Sequence, residues 1–255
     1  MKTSSRRPSA GPIAALALSL ALILLALAMP AGAAPILNGS FEDGMANWTV
    51  ADQAGSEGGF VLQSGTRSPV TDMPVPAPPQ GSNAAMTDAE GGGSHVLYQD
   101  FMQASAVTRA MLSFDLFVGN RTDAFYLPQQ PTLDWATAVL NQQARADLLV
   151  GGSDPFSMAT ADLLMNLFAT GLTDPLVSGY NRIEVDITDL LNANLGTSLR
   201  LRFAEVDNVA MFQFGVDNVV LAIGDPAEVP EPGTLLLLLA GLAAAWPASR
   251  RALRV

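Results

Sequence analysis

From residue 34 to residue 228 the chain repeats one pattern: short runs of alternating apolar and polar residues, each closed by glycine, proline or asparagine. A period of two sends successive side chains to opposite faces, so each run reads as a strand with one buried face. In residues 94–103, Val96, Tyr98 and Asp100 face one way, and His95, Leu97, Gln99 and Phe101 the other. Residues 109–118 repeat this, with Leu112, Phe114, Leu116 and Val118 opposite Met111, Ser113, Asp115 and Phe117. Residues 180–187, 198–205 and 215–223 alternate as well; in 198–205, Leu199, Leu201 and Phe203 oppose Arg200 and Arg202. Shorter strands are expected at 36–41, 48–51, 59–63, 83–87, 133–140 and 145–150. Residues 158–168 fit a helix or a buried strand equally well. Residues 188–195 suit one short helix that Thr188 can cap. Many short strands between turn residues predict an all-β antiparallel sandwich with at most one or two short helices.

The connections carry little chemistry of their own. Pro74, Pro76, Pro78 and Pro79 favour extended backbone within a loop-rich stretch, and whether 64–93 and 121–132 are ordered is open. Gly91, Gly92 and Gly93 read as a flexible turn, since no phosphate-loop pattern follows them. Trp48, just after the first turn, is expected to plug one end of the core.

Charge narrows the partners. Residues 34–228 hold seven arginines against 23 carboxylates, a net charge of −16. Such a surface repels nucleic acid and anionic lipid, and suits plain solubility or a divalent cation. There is no cysteine and a single histidine, His95, so cysteine-type and histidine-rich zinc sites are excluded. A hard cation held by oxygen ligands stays open. Without disulfides, core packing or a bound metal must hold the domain together.

Two stretches near the domain's ends bear a family likeness: Asn38-Gly39-Ser40-Phe41-Glu42-Asp43-Gly44 with Trp48, and Phe214-Gly215-Val216-Asp217-Asn218-Val219-Val220-Leu221. Together they resemble the galactose-binding-like jelly rolls, the β-sandwich fold of many carbohydrate-binding modules. The resemblance implies a jelly-roll-like sandwich whose first and last strands lie together beside a structural calcium. It implies Glu42 and Asp217 as side-chain ligands, with backbone carbonyls near Asn38 and Ser40.

The chain's two ends read as transport signals. Residues 1–33 have the form of a signal peptide: Lys2, Arg6 and Arg7, an apolar run over 13–29, then Ala31-Gly32-Ala33 as a cleavage site. Residues 229–255 open with Pro230-Glu231-Pro232, continue with twelve nearly all apolar residues over 235–246, and end with Arg250, Arg251 and Arg254. The apolar run can form a short transmembrane helix, with the arginines on the cytoplasmic side. This tail resembles the PEP-CTERM sorting signal of bacterial surface and exopolysaccharide-associated proteins. The resemblance implies cleavage by an exosortase-type protease, transient membrane anchoring, and an address at the cell surface or in the extracellular matrix.

Close acidic pairs such as Asp186 with Asp189 and Glu205 with Asp207 are expected by chance among so many acids, and read as solvated surface. No G-x-S-x-G elbow accompanies His95, so a serine triad is unsupported. The chain is therefore expected not to be an enzyme. Sugar binding would use aromatic faces with polar neighbours, for which Tyr126 and Trp135 are the first candidates, with core packing the competing role for Trp135. The expected function is contact with exopolysaccharide. The alternatives are a structural matrix component that binds protein partners or itself, and a polysaccharide hydrolase.

Overall fold

The computed structural model describes residues 36–224. The signal-peptide reading at 1–33 and the sorting-signal reading at 229–255 lie outside these residues. Ten strands form: β1 (Thr49–Asp52), β2 (Phe60–Ser64), β3 (Asn83–Thr87), β4 (Gly93–Met102), β5 (Ala110–Asn120), β6 (Gln142–Val150), β7 (Leu163–Ala169), β8 (Asn181–Asp186), β9 (Ser198–Asp207) and β10 (Phe212–Ile223). One short helix, α1 (Thr188–Ala193), precedes β9. The strands make two five-stranded antiparallel sheets, ordered β1-β4-β9-β6-β7 and β2-β3-β10-β5-β8. The domain is an all-β sandwich.

The two sheets meet through the inward residues of the alternating runs. Leu97, Leu201 and Phe203 from the first sheet share one buried cluster with Leu112, Phe114, Phe214 and Val216 from the second. Phe114 and Phe203 join the layers edge to face, with ring centroids 5.2 Å apart. Trp48 plugs one end of this core, 5.4 Å from Phe41 and 6.0 Å from Phe203, and its indole N–H donates to the Asn38 carbonyl.

Several local expectations give way. Residues 36–41 form turns rather than a strand: Asn38 and Phe41 take positive φ (49° and 56°), outside the extended region that regular strands need. The turn is held by Asn38, whose side-chain amide donates to the Gly44 and Ala46 carbonyls. Residues 133–140 form turns as well, because side chains compete for the backbone: Thr132, Asp134 and Thr137 each accept from the N–H two residues on. Residues 158–168 divide into a loop and turn over 158–162 and the strand β7 from Leu163, whose pairing with β6 decides what periodicity leaves open. Thr188 lies inside α1 and does not cap it; its hydroxyl instead donates to Asp186 and accepts from the Ala110 N–H.

The outer face of the first sheet is also covered, so its charges are paired. Arg202 and Asp147 are fully buried and joined at 2.6 Å, and Arg145 grips the same carboxylate through two bonds of 2.6 Å. Arg202 also donates to the Pro155 and Ser157 carbonyls of the covering loop. Burial alone would push the Asp147 carboxyl up, but the hydrogen bond from Arg145 and the charge of Arg202 outweigh it and hold it below the ordinary range. Breaking a buried pair by removing one partner strands the other charge. Asp147→Ala is expected to cost about 3–5 kcal/mol of unfolding free energy in a urea titration; a loss under 1 kcal/mol would show the arginines to be hydrated in the variant.

Candidate functional site

The end of the sandwich where β4 begins and β9 finishes carries the main constellation of polar groups. Antiparallel register sets His95 opposite Glu205 and Gly93 opposite Asp207. Leu199, Leu201 and Phe203 point inward, so the same parity carries Glu205 and Asp207 into the interior. They are 1% and 3% exposed, which corrects the reading of this pair as solvated surface. His95 shares the inner face with Leu97 and is equally buried; its Nδ1 lies 2.7 Å from Asp52 Oδ1 on β1.

Gly93 lets the chain close over this group. A side chain there would fall on the His95 Nε2, and the Gly93 N–H itself donates to Asp207 Oδ1 at 2.6 Å. The triple glycine is thus a close-packed roof rather than only a flexible turn: a Cβ on Gly92 would meet the Asp207 carbonyl, and one on Gly91 the Glu57 carboxylate. Burial, then the charge of Asp207, push the Glu205 carboxyl well above the usual range. Burial pushes Asp207 up to about 7, against the opposing hydrogen bond from Gly93.

Beside the roof lies an open cleft of about 420 Å³, lined by Glu90, Gly91, Gly92, Trp135, Ala136, Thr137, Asn208, Val209 and Ala210. Trp135 forms one wall, with its ring between Gly55 and Gly92. Its backbone is fixed from both sides: its main-chain N–H donates to the Gln53 side chain, and its carbonyl accepts from Asn208, while the buried indole Nε1 has no partner among the described residues. Asn208 also donates to the Val139 carbonyl and accepts from the Asn141 N–H, so one amide organises the loop from 135 to 141. Trp135 packs against Val96, Leu133, Ala204 and Val206 as well, so it takes the competing core role while its ring also borders the cleft. Tyr126 is not among the cleft-lining residues. It pairs with Gln142 in an isolated bridge, and its hydroxyl donates to Asp123.

Glu42 and Asp217, far apart in sequence, converge on one short segment. Glu42 Oε1 accepts from the Ser82 and Asn83 N–H groups, and Asp217 Oδ2 from that of Gln80. The loop holding Asn38 and Ser40 docks on β10 through the Gly39 carbonyl, which accepts from the Val219 N–H at 2.8 Å. A Cβ on Gly39 would overlap the Val219 carbonyl, so only glycine fits. The Asn38 carbonyl already accepts from Trp48 Nε1 and the Phe41 N–H. Burial, with the charges of Asp115 and Glu42, pushes Asp217 up to about 6 against the N–H groups of Gln80 and Asn218.

No family model and no curated protein matches this sequence. Among solved structures it is similar to TmCBM61 in complex with β-1,4-galactotriose, at 11% identity over 74% of this chain and 98% of that one, with a TM-score of 0.43. It is also similar to the K3 cleaved adhesin domain of Lys-gingipain from Porphyromonas gingivalis W83, at 14% identity over 73% and 98% of the two chains, with a TM-score of 0.44. A cyclase from Fischerella sp. TAU gives 18% identity over 77% and 98%, with a TM-score of 0.42. At these scores the likeness says nothing of ligand or activity.

Sequence reasoning finds Trp135 but misses Gln53, Glu90 and Asn208, which only the fold gathers around it. The buried carboxyls make stability depend on pH. Asp207 and Asp217 have folded values above the unfolded value of about 3.9, so their contribution is intact below pH 4 and is lost as pH rises through about 6 and 7. In chelator-treated buffer the thermal midpoint is expected to be higher at pH 5 than at pH 8. Asp207→Asn should shrink that difference; an equal difference in the variant would place its cause elsewhere.

Proposed function

We propose that the chain is an exported protein of the cell surface or extracellular matrix, whose sandwich binds polysaccharide without catalysis in the cleft beside Trp135. One observation carries the binding part: the indole of Trp135, whose backbone Gln53 and Asn208 hold, lines an open cleft with the polar groups of Glu90 and Thr137. A sugar ring offers an apolar face and a rim of hydroxyls, which such a cleft meets at once. Glu90 is the sole carboxylate among the lining residues, whereas glycoside hydrolysis ordinarily uses two across the scissile bond. That favours binding over cleavage. The strand order supports the jelly-roll reading: from β3 onward, strands alternate between sheets except at the β6–β7 hairpin, giving β3-β10-β5-β8 facing β4-β9-β6-β7.

Export, transient membrane anchoring and processing by an exosortase-type protease rest on residues 1–33 and on Pro230, Glu231, Pro232, Arg250 and Arg251. Calcium beside Glu42 and Asp217 belongs to the same proposal. The convergence of the two carboxylates supports it, and they would hold the ion with the Ser40 carbonyl, while the Asn38 carbonyl is engaged in closing its turn. The ion would tie the loop over 38–44 to β10.

Purified protein is expected to be retained on the producing cell's exopolysaccharide. Trp135→Ala should weaken that retention at least tenfold, about 1.4 kcal/mol, while unfolding stays cooperative. Retention lost in chelator and restored by calcium would support the Glu42 and Asp217 site; retention indifferent to chelator would discard calcium as a requirement. No retention in either buffer would overturn polysaccharide binding and favour the structural matrix role.

A further inference from the structure

The geometry points to a second metal site, built from His95, Glu205 and Asp207, that takes a first-row divalent transition ion of the zinc type. It is distinct from the pair at Glu42 and Asp217 and does not depend on the polysaccharide reading. The three side chains come from adjacent strands, and one ligand atom from each lies within 4.8 Å of the others. In a tetrahedral shell with bonds of about 2.1 Å, ligand atoms lie roughly 3.4 Å apart, so side-chain rotations that draw the three atoms together by about an ångström would bring them onto one ion.

Two further observations distinguish this group from a chance cluster of acids. Glu205 is 1% exposed and its Oε1 has no hydrogen-bond partner, which is costly for a buried carboxyl oxygen unless something else binds it. Asp52 occupies His95 Nδ1, so Nε2 is the nitrogen that remains, and carboxylate–imidazole pairing of this kind orients metal-bound histidines.

The ligand set chooses the class of ion. One imidazole with two carboxylates suits zinc or a similar transition ion, whereas calcium and magnesium prefer all-oxygen shells. Metal bound here would fasten β1, β4 and β9 together in a chain without disulfides.

The test is zinc retention by tag-free protein, stripped with chelator, loaded with zinc and desalted. About one zinc per chain is expected, with a raised thermal midpoint. His95→Gln and Glu205→Gln should each abolish retention while unfolding stays cooperative; the second keeps side-chain volume and replaces the carboxyl with an amide that is a far poorer metal ligand. Asp52→Asn should keep the site and weaken it 10–100-fold, because it perturbs only the orienting partner. Glu42→Gln should leave zinc unchanged. No zinc in the unaltered protein would overturn the proposal, as would undiminished retention in the His95 and Glu205 variants. Loss in Glu42→Gln instead would assign the ion to the other carboxylate pair and overturn it equally.

Discussion

Strand β9 has no solvent-facing side along most of its length, and the rest of the domain is built around that constraint. It lies between β4 and β6, with the second sheet on its inner face and loops on its outer face. Every side chain along it must therefore be apolar or be given a partner. Leu199, Leu201 and Phe203 supply the core; Arg200 and Arg202, pointing outward, are buried all the same and are matched by Asp100 and Asp147. Arg200 also lies over the Tyr98 ring, 3.9 Å from its centroid. Charge pairing of this kind does not by itself make a fold stable. It does disfavour register shifts, because a one-residue slip would drive two arginines into the aromatic core.

The same strand links stability to the site. Continuing its inward parity past Phe203 brings Glu205 and Asp207 to the sandwich end, where His95 and Asp52 arrive from β4 and β1. Core residues at one end of β9 and ionisable residues at the other are consequences of one alternation. Between them the glycine roof and the Trp135 loop form a single rim, tied by the hydrogen bonds of Asn208 and Gln53. A cleft bordered by such a fixed loop is pre-ordered, so a ligand need not bear the entropy of arranging it.

The strands 94–103 and 109–118 were legible nearly to the residue because their two faces differ in polarity. The stretches misread at 36–41 and 133–140 have comparable apolar content. There Asn38, Thr132, Asp134 and Thr137 turn their side chains onto nearby backbone groups, and that local competition overrides apolar content. His95, Glu205 and Asp207 were legible in part: His95 was placed on the face of Leu97 and Phe101, and parity extended by one residue pair would have carried Glu205 inward. What periodicity does not contain is the pairing of β4 with β9 that sets them opposite each other.

The sequence by itself determined the class of fold, the inner and outer faces of the long strands, the acidic surface and the likeness of the two ends to transport signals. These follow from local periodicity and composition, which need no knowledge of distant neighbours. Tertiary structure alone decided that Glu42 and Asp217 converge on one segment, that Glu205 and Asp207 are interior, and that Trp135 stands in a cleft apart from Tyr126. Each of these depends on strand register and sheet order across tens to more than a hundred residues, and a residue's chemistry is set by the neighbours that register gives it.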